Sequence, residues 1–448
     1  MSDHLAALTH ALLTAARKAG ADHADAVAVD GTSLSIDVRG GRLEQAERSE
    51  SMEIGLRVLI GQRQACVSAS DTSAATIATM ADRAVAMARE APVDPTTGLA
   101  EPGQLAQHWD LAALQLADPA AEPDPQMLEA DARAAESAAL ALPGISMVDS
   151  ASAGYGRHAV HIAATNGFSG GYARTSRAIS CVAITGSGTG MERDYFGDHR
   201  TWQSDLMPAA EIGRLAAERT VQRAGSRKPK TGAFPVVYDE RVASSLIGHL
   251  LGAINGAAVA RGSSWLRDAM GQMVLPAGLS VSENPRRPRA TGSKPFDAEG
   301  LATHARDLVA DGVLTSWVLD LATARKLGLA STGNAARGPS SPPSPSTTNI
   351  ALTQGDKSRA ELLAEIGTGL LITSLIGASI NPTTGDYSRG ASGFWVENGQ
   401  IAWPVNECTV AGNLRAMLKT LIPANDARMH LSTVVPSLLV EGLTIAGE

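Results

Sequence analysis

The chain has 448 residues, 44% of them hydrophobic and 19% charged, with a formal net charge of −8. That length suits two or three domains with sizeable cores, and the apolar fraction excludes a disordered chain. The acidic balance argues against direct nucleic-acid binding, which normally shows as a basic excess.

In chain order, Ser2 or Asp3 can cap a first helix in which Leu5, Leu8, Leu12 and Ala16 recur at helical spacing. Leu34, Ile36 and Val38 then alternate with polar residues up to a turn at Gly40-Gly41, and Met52, Ile54, Leu56, Val58 and Ile60 continue the strand period. Ser70-Asp71 opens a second helix whose Ile77, Met80, Ala84, Met87 and Ala88 share one face. These elements predict a two-layer α/β domain with antiparallel pairing over residues 1–92. Residues 93–125, rich in Pro, Ala and acids, read as a linker. The middle segment, 126–225, predicts a helix from Gln126 to Ala141 and strands near Ala159–Ala164 and Ala178–Ile184. A turn at Thr165-Asn166-Gly167 and a helix from Pro208 to Arg223 complete it. Residues 226–448 predict a strand at Phe234–Tyr238, an apolar helix over Val242–Ala258, and then short strands and Gly-rich turns in a β-rich domain. Within it, Ala336–Asn349 (ARGPSSPPSPSTTN) reads as a solvated Pro/Ser loop. The fold class is therefore α/β in the α+β sense: an N-terminal α/β domain, a middle α/β segment and a β-rich C-terminal domain.

Three cysteines, Cys66, Cys181 and Cys408, lack CxxC spacing, which suits a reducing cytosol and argues against a disulfide scaffold. The N-terminal MSDHLAALTHALLTAARKAG lacks the form of a signal peptide. The apolar stretch around Gly369 to Ile380 falls short of the ~20 residues that span a bilayer. A cytoplasmic protein with no membrane partner is expected. Gly186–Gly190 is followed by no helix and no Lys-Ser/Thr pair, so it reads as a hairpin loop and not a phosphate cradle. His158 and His161, three apart on a strand, face opposite sides and do not share a metal. His249 is a lone histidine on the apolar helix. No serine occupies a G-x-S-x-G elbow, although a serine-type hydrolase with an unrecognised Ser/His/Asp set stays an alternative. Gly385–Gly390 (GDYSRG) gathers an acid, a phenol, a hydroxyl and a guanidinium in what reads as a loop. It suits either the binding of a peptide or partner, or a turn held by an internal Asp–Arg pair.

The stretch GDYSRGASGFWVENGQIAWPVNECTVAGNL, Gly385 to Leu414, resembles the C-terminal signature of the PmbA/TldE branch of the TldD/PmbA metallopeptidase family. Arg241–Leu266, Lys294–Gly300 (KPFDAEG), Asp311–Ala335 and Gly190–Tyr195 (GMERDY) resemble further family motifs, in order along the chain. The resemblance implies a heteromeric zinc peptidase acting on small unfolded peptides. In it a TldD-type subunit carries zinc on an HExxxH helix, with a distant cysteine as a further ligand. Members also carry the label "modulator of DNA gyrase", so the alternative is a binding protein for a folded partner of that kind.

Placed on HExxxH, this chain has Ser244 in the position of the first histidine, Ser245 in that of the glutamate, and His249 as the remaining histidine. One imidazole does not hold a catalytic zinc, which takes about three protein ligands. Without the glutamate no base is positioned to activate water. The resemblance thus implies no catalytic residue and no metal in this chain, with zinc in the TldD-type partner and a homodimer where that partner is absent. Asp386, Tyr387 and Arg389, with His249, are expected to line the shared substrate cavity. Ligands five residues apart point about 140° apart on an ideal helix and need a bulge, with which Gly248 is compatible.

Overall fold

The computed structural model describes residues 2–448. The first helix, α1 (Ser2–Ala19), buries Leu5, Leu8, Leu12 and Ala16 on one stripe, as their spacing predicts. A cap by Ser2 lies outside the described side chains. Strands β1 (His23–Arg39), β2 (Arg42–Ile60) and β3 (Arg63–Ala69) follow as an antiparallel meander. The β1–β2 turn is made by Gly40 and Gly41, whose φ values of 60° and 69° lie in the region that favours glycine. Helix α2 (Ala74–Glu90) is capped by Ser73, whose hydroxyl accepts from the Thr76 N–H, while the Asp71 carboxylate, two residues earlier, accepts from the Ser73 N–H and hydroxyl. Ile77, Met80, Ala84 and Ala88 are buried on it, but Met87 is 44% exposed because it lies on the flank of the stripe, and Ala81 and Val85 fill the core instead.

Residues 93–125 contain a 3-10 turn at Pro102–Gln104 and one short α-helix, α3 (Leu111–Leu114), and bury Ala100, Ala106, Leu114 and Leu116. Then come α4 (Pro125–Leu140), β4 (Ile145–Ala164), β5 (Ser169–Thr185), β6 (Glu192–Arg200) and α5 (Ala209–Val221). All six strands form one sheet in the order β3-β2-β1-β4-β5-β6. The central pairing of β1 with β4 runs from Asp25–Ala164 to Val38–Ala151 and unites the segments on either side of residues 93–125. Ala24, Ala26 and Ala28 of β1 pack under α1 and α2. Leu34, Ile36 and Val38, on the same face by strand periodicity, pack under α4 and α5. On the opposite face Val27 and Ile162 meet Phe168 and Phe296 in a separate cluster.

The C-terminal region begins with β7 (Gly232–Tyr238), α6 (Glu240–Ala253) and α7 (Gly256–Ala260). The helix expected through Ala258 is interrupted at Ile254, after which Asn255 caps α7 with its side-chain oxygen. Next in sequence are β8 (Val281–Glu283), β9 (Arg306–Ala310), β10 (Val313–Leu314), α8 (Leu321–Leu327), β11 (Ala335–Ala336), β12 (Ser344–Pro345) and β13 (Ile350–Leu352). The chain finishes with α9 (Arg359–Ile366), β14 (Gly369–Ile380), β15 (Asp386–Glu397), β16 (Gln400–Asn413), α10 (Leu414–Lys419), β17 (Ile422–Pro423), β18 (Thr433–Val434) and β19 (Leu438–Ala446). One sheet has the order β16-β15-β14-β7-β19-β17, and an additional β16–β19 pairing closes β16, β15, β14, β7 and β19 into a ring, with β17 outside it. A second has the order β10-β9-β8-β13-β18. The largest core, which includes Leu246 and Leu250 of α6 and Trp395 of β15, lies among these elements. The mixed α/β architecture with a β-rich C-terminal part is the predicted one. Among the described residues no helix is long and apolar enough to cross a membrane.

Two local expectations are corrected. GDYSRG is not a loop: Asp386 to Gly390 open strand β15, paired with both β14 and β16. The Pro/Ser run is solvated only in its middle, where Ser340, Ser341, Pro342 and Ser344 are exposed, and its two ends are anchored. The Arg337 side chain is 0% exposed and ion-paired to Asp25, while Thr348 and Asn349 are buried. Pro and Ser content limits regular pairing to the short β11–β12 ladder, and it does not decide the exposure of the ends.

Candidate functional site

Strand β7 ends at Tyr238, and Asp239 turns the chain into α6 by accepting from the Arg241 N–H at 3.2 Å. Its carboxylate is also ion-paired to Arg241 and Arg359, and these pairs hold its pKa below the usual carboxylate value despite burial. Ala243, Leu246, Ile247, Leu250 and Ala253 face the core. Ser244, Ser245, Gly248 and His249 are left on the more accessible side of the helix. The Ser245 hydroxyl donates to the Val242 carbonyl at 2.6 Å, which turns it back onto its own helix. Helix α6 is regular throughout, so no bulge forms at Gly248, and Ser244 and His249 diverge as on any α-helix.

The His249 ring meets Tyr387 of β15 edge-on, with centroids 5.9 Å apart. Its Nε2 is buried without a hydrogen-bond partner. Burial first, and then the positive charge of Arg389, push its pKa below the ordinary histidine value. The Tyr387 hydroxyl accepts from that of Tyr238 at 3.4 Å, and burial raises the pKa of both phenols. Arg389 donates through Nε to the Gly377 carbonyl at 2.6 Å. Asp386 is exposed, and its carboxylate accepts from the Thr384 hydroxyl at 2.6 Å and the Asn413 amide at 3.0 Å. Its pKa is lowered by those two bonds, Thr384 first. The internal Asp386–Arg389 pair does not form, because residues three apart on a strand point to opposite faces. The structure therefore brings His249, Tyr387 and Arg389 together and places Asp386 apart from them.

The donors around His249 do not fit a zinc ion. Its neighbours are a neutral phenol, a cation and a hydroxyl already bonded to backbone, whereas zinc takes several histidine, thiolate or carboxylate ligands. Among the described residues no group of three or more His, Cys, Asp or Glu could hold a metal. Cys408 donates its thiol to the Ala391 carbonyl at 3.2 Å, and burial pushes its pKa up to about 11.

His161 faces α1, with Nδ1 2.9 Å from the Thr9 hydroxyl, while His158 lines a cavity on the other face of the sheet, as the spacing predicts. Gly186–Gly190 forms the short connection between β5 and β6, with positive φ at Gly186 and Gly188.

Sequence reasoning missed two buried charge clusters. In one, Glu192 and Asp194 of β6 meet Arg223 and Arg241, tying the first sheet to the start of α6. In the other, the carboxylates of Asp297 and Glu299 lie buried together. Burial raises both pKa values, that of Glu299 to about 8 with the Asp297 charge as the next cause. The only sequence signal for either was an acid among apolar and glycine neighbours inside GMERDY and KPFDAEG.

The PmbA/TldA metallopeptidase domains match this chain in order: domain 1 over residues 24–88, the central domain over 118–224 and the C-terminal domain over 231–447. The metalloprotease PmbA of Escherichia coli O157:H7 is 35% identical over 428 residues, covering 95% of this chain and 93% of its own. A Bacteroides thetaiotaomicron protein described as a proposed modulator of DNA gyrase superposes with a TM-score of 0.91 at 26% identity, over 99% of this chain and 98% of the other. TldE from Thermococcus kodakarensis shares the fold, with a TM-score of 0.84 at 18% identity over 98% of this chain and 100% of that one.

Proposed function

The chain belongs to the PmbA/TldD metallopeptidase family, and we propose that within it this chain shapes the peptide chamber while a TldD-type partner holds zinc and cleaves. The observation that carries this reading is the accessible side of α6. It presents Ser244, Ser245 and His249 where a metal-binding helix of the family needs two histidines and a glutamate. Arg389 adds a positive charge beside the one imidazole, and a cation repels a second cation. With no carboxylate there to take a proton from water, this chain has no hydrolytic step of its own at α6.

What it contributes is position and exclusion. Tyr387 and Arg389 form part of the wall, and His249 stays neutral, able to donate or accept one hydrogen bond. The substrates are small unfolded peptides, held in extended form by pairing with strand edges.

The test is co-expression of the tagged chain with an HExxxH-bearing relative from the same host, followed by a zinc count and cleavage assays on unstructured peptides. The expected result is co-purification in near-equal amounts, zinc matching the relative alone, and chelator-sensitive cleavage by the pair only. A chain that stays alone and zinc-free beside the relative overturns the proposal and favours binding of a folded partner such as gyrase. Zinc-dependent cleavage by the isolated chain overturns it equally.

A further inference from the structure

The outer face of the first sheet and the C-terminal region form a half-open cavity of about 330 Å³, a size at the small end of ligand sites. Its walls are apolar where Val27, Val160 and Ile162 of the sheet meet Tyr172 and Phe296, and its polar lining is dominated by cations. Lys294, Arg174 and Arg337 all face it, with His158, against the single carboxylate of Asp297. That carboxylate is occupied: it accepts the backbone N–H groups of Glu299, Leu301 and Ala335.

Few of the cations that face the cavity have a carboxylate in direct contact: Asp297 and Glu283 act on Lys294 without an ion pair, and Asp25 is divided between two guanidiniums. Lys294, half-buried, makes no side-chain hydrogen bond and no ion pair among the described residues. Arg174 donates only to neutral carbonyls, Thr291 at 2.6 Å and Ser293 at 3.1 Å, and lies over the Tyr172 ring. Arg337 shares the Asp25 carboxylate with Arg57, and its buried Nη2 has no partner at all. Burying cations without compensating anions is costly, and a protein with a net charge of −8 has acids to spare for pairing them. An apolar chamber that keeps unpaired ammonium and guanidinium donors at one side is arranged for a ligand with the opposite character.

We propose that this cavity binds a small organic anion, a carboxylate or phosphate monoester carried on an apolar, aromatic-sized body. The anionic head meets Lys294 and Arg174, and the body packs against Phe296 and the valine-isoleucine wall. The site is separate from α6, and the proposal stands whether or not the chain pairs with a catalytic subunit.

The experiment is calorimetric titration of the full chain with phenylacetate, phenylacetamide, phenyl phosphate and inorganic phosphate. Loss of a charge-assisted hydrogen bond predicts that phenylacetamide binds at least about tenfold more weakly than phenylacetate. Phenyl phosphate is expected to bind as well, and the tighter of the two anions names the natural head group. Lys294→Met and Arg174→Met, each checked for an unchanged fold by circular dichroism, should each lose about tenfold in affinity for that anion. Equal binding of phenylacetate and phenylacetamide overturns the proposal, as does inorganic phosphate matching phenyl phosphate. So does the absence of heat from every probe up to about 10 mM, which corresponds to less than about 3 kcal/mol of binding, or wild-type affinity in both variants.

Discussion

His249 illustrates how neighbours decide what one imidazole can do. Burial and the Arg389 charge both disfavour its protonated form, so they add. A histidine whose folded-state pKa is depressed supports the fold above its ordinary pKa and withdraws that support as pH falls through the lowered value. Arg389→Ala removes one of the two causes. The His249 titration followed by NMR should therefore move up toward its ordinary value, and a titration that stays in place would show that burial alone sets it. On the proposed chamber role, the same substitution should slow small-peptide cleavage by the co-purified pair, because a cation is lost from the proposed wall; unchanged kinetics would remove Arg389 from it. At this scale the sequence was partly legible. The gathering of Asp386, Tyr387 and Arg389 was visible as composition, but which of them meets His249 depends on strand alternation, and a segment read as a loop has none to apply.

At the scale of elements, periodicity was informative and composition was not. The i, i+3, i+4 spacing in α1 and the alternation at Ile54, Leu56 and Val58 in β2 correspond to buried stripes because burial itself imposes those periods. The ends of the Pro/Ser run were not legible because their anchor is remote: Arg337 pairs with Asp25, 312 positions away, and no local pattern encodes such a contact. The packing of this run is open to test at Gly55 of β2, where an added Cβ would lie 2.1 Å from the Pro339 carbonyl oxygen. Gly55→Ala should destabilise the protein by about 1–3 kcal/mol through overpacking against backbone. An unchanged denaturation midpoint would mean that the run gives way freely. Gly248 is the opposite case, since an added Cβ meets nothing within 4 Å on a regular helix. Gly248→Ala should stabilise α6 by about 0.5–1 kcal/mol. Denaturant titration that shows a loss instead would reveal a need for glycine that this conformation does not display.

At the scale of the whole molecule, one of the seams that join its parts lies where the outer face of the first sheet meets the segment from Lys294 to Leu301. Phe296 packs there against Phe168 and Tyr172, and the buried carboxylates of Asp297 and Glu299 lie beside it. Glu299 accepts the Leu321 N–H at the start of α8, at 2.9 Å, so its burial also fixes that helix. A carboxyl whose folded-state pKa is raised stabilises fully below its unfolded value, and that contribution is lost as pH rises through the folded value. For Glu299, raised to about 8 from 4.5, the window of loss runs across neutrality. Glu299→Gln keeps an oxygen for the Leu321 N–H and removes the charge. The variant should therefore melt close to wild type near pH 5 and pull ahead by about 3 °C or more near pH 8.5. Buried histidines with depressed pKa values, His161, His199 and His430 among them, add their own pH dependence. They are common to both proteins and cancel in the difference between the two melting curves. Curves that run parallel from pH 5 to 8.5 would show that Glu299 is ionised throughout. The seam would then be held by a buried anion beside Arg57 in place of a neutral carboxyl.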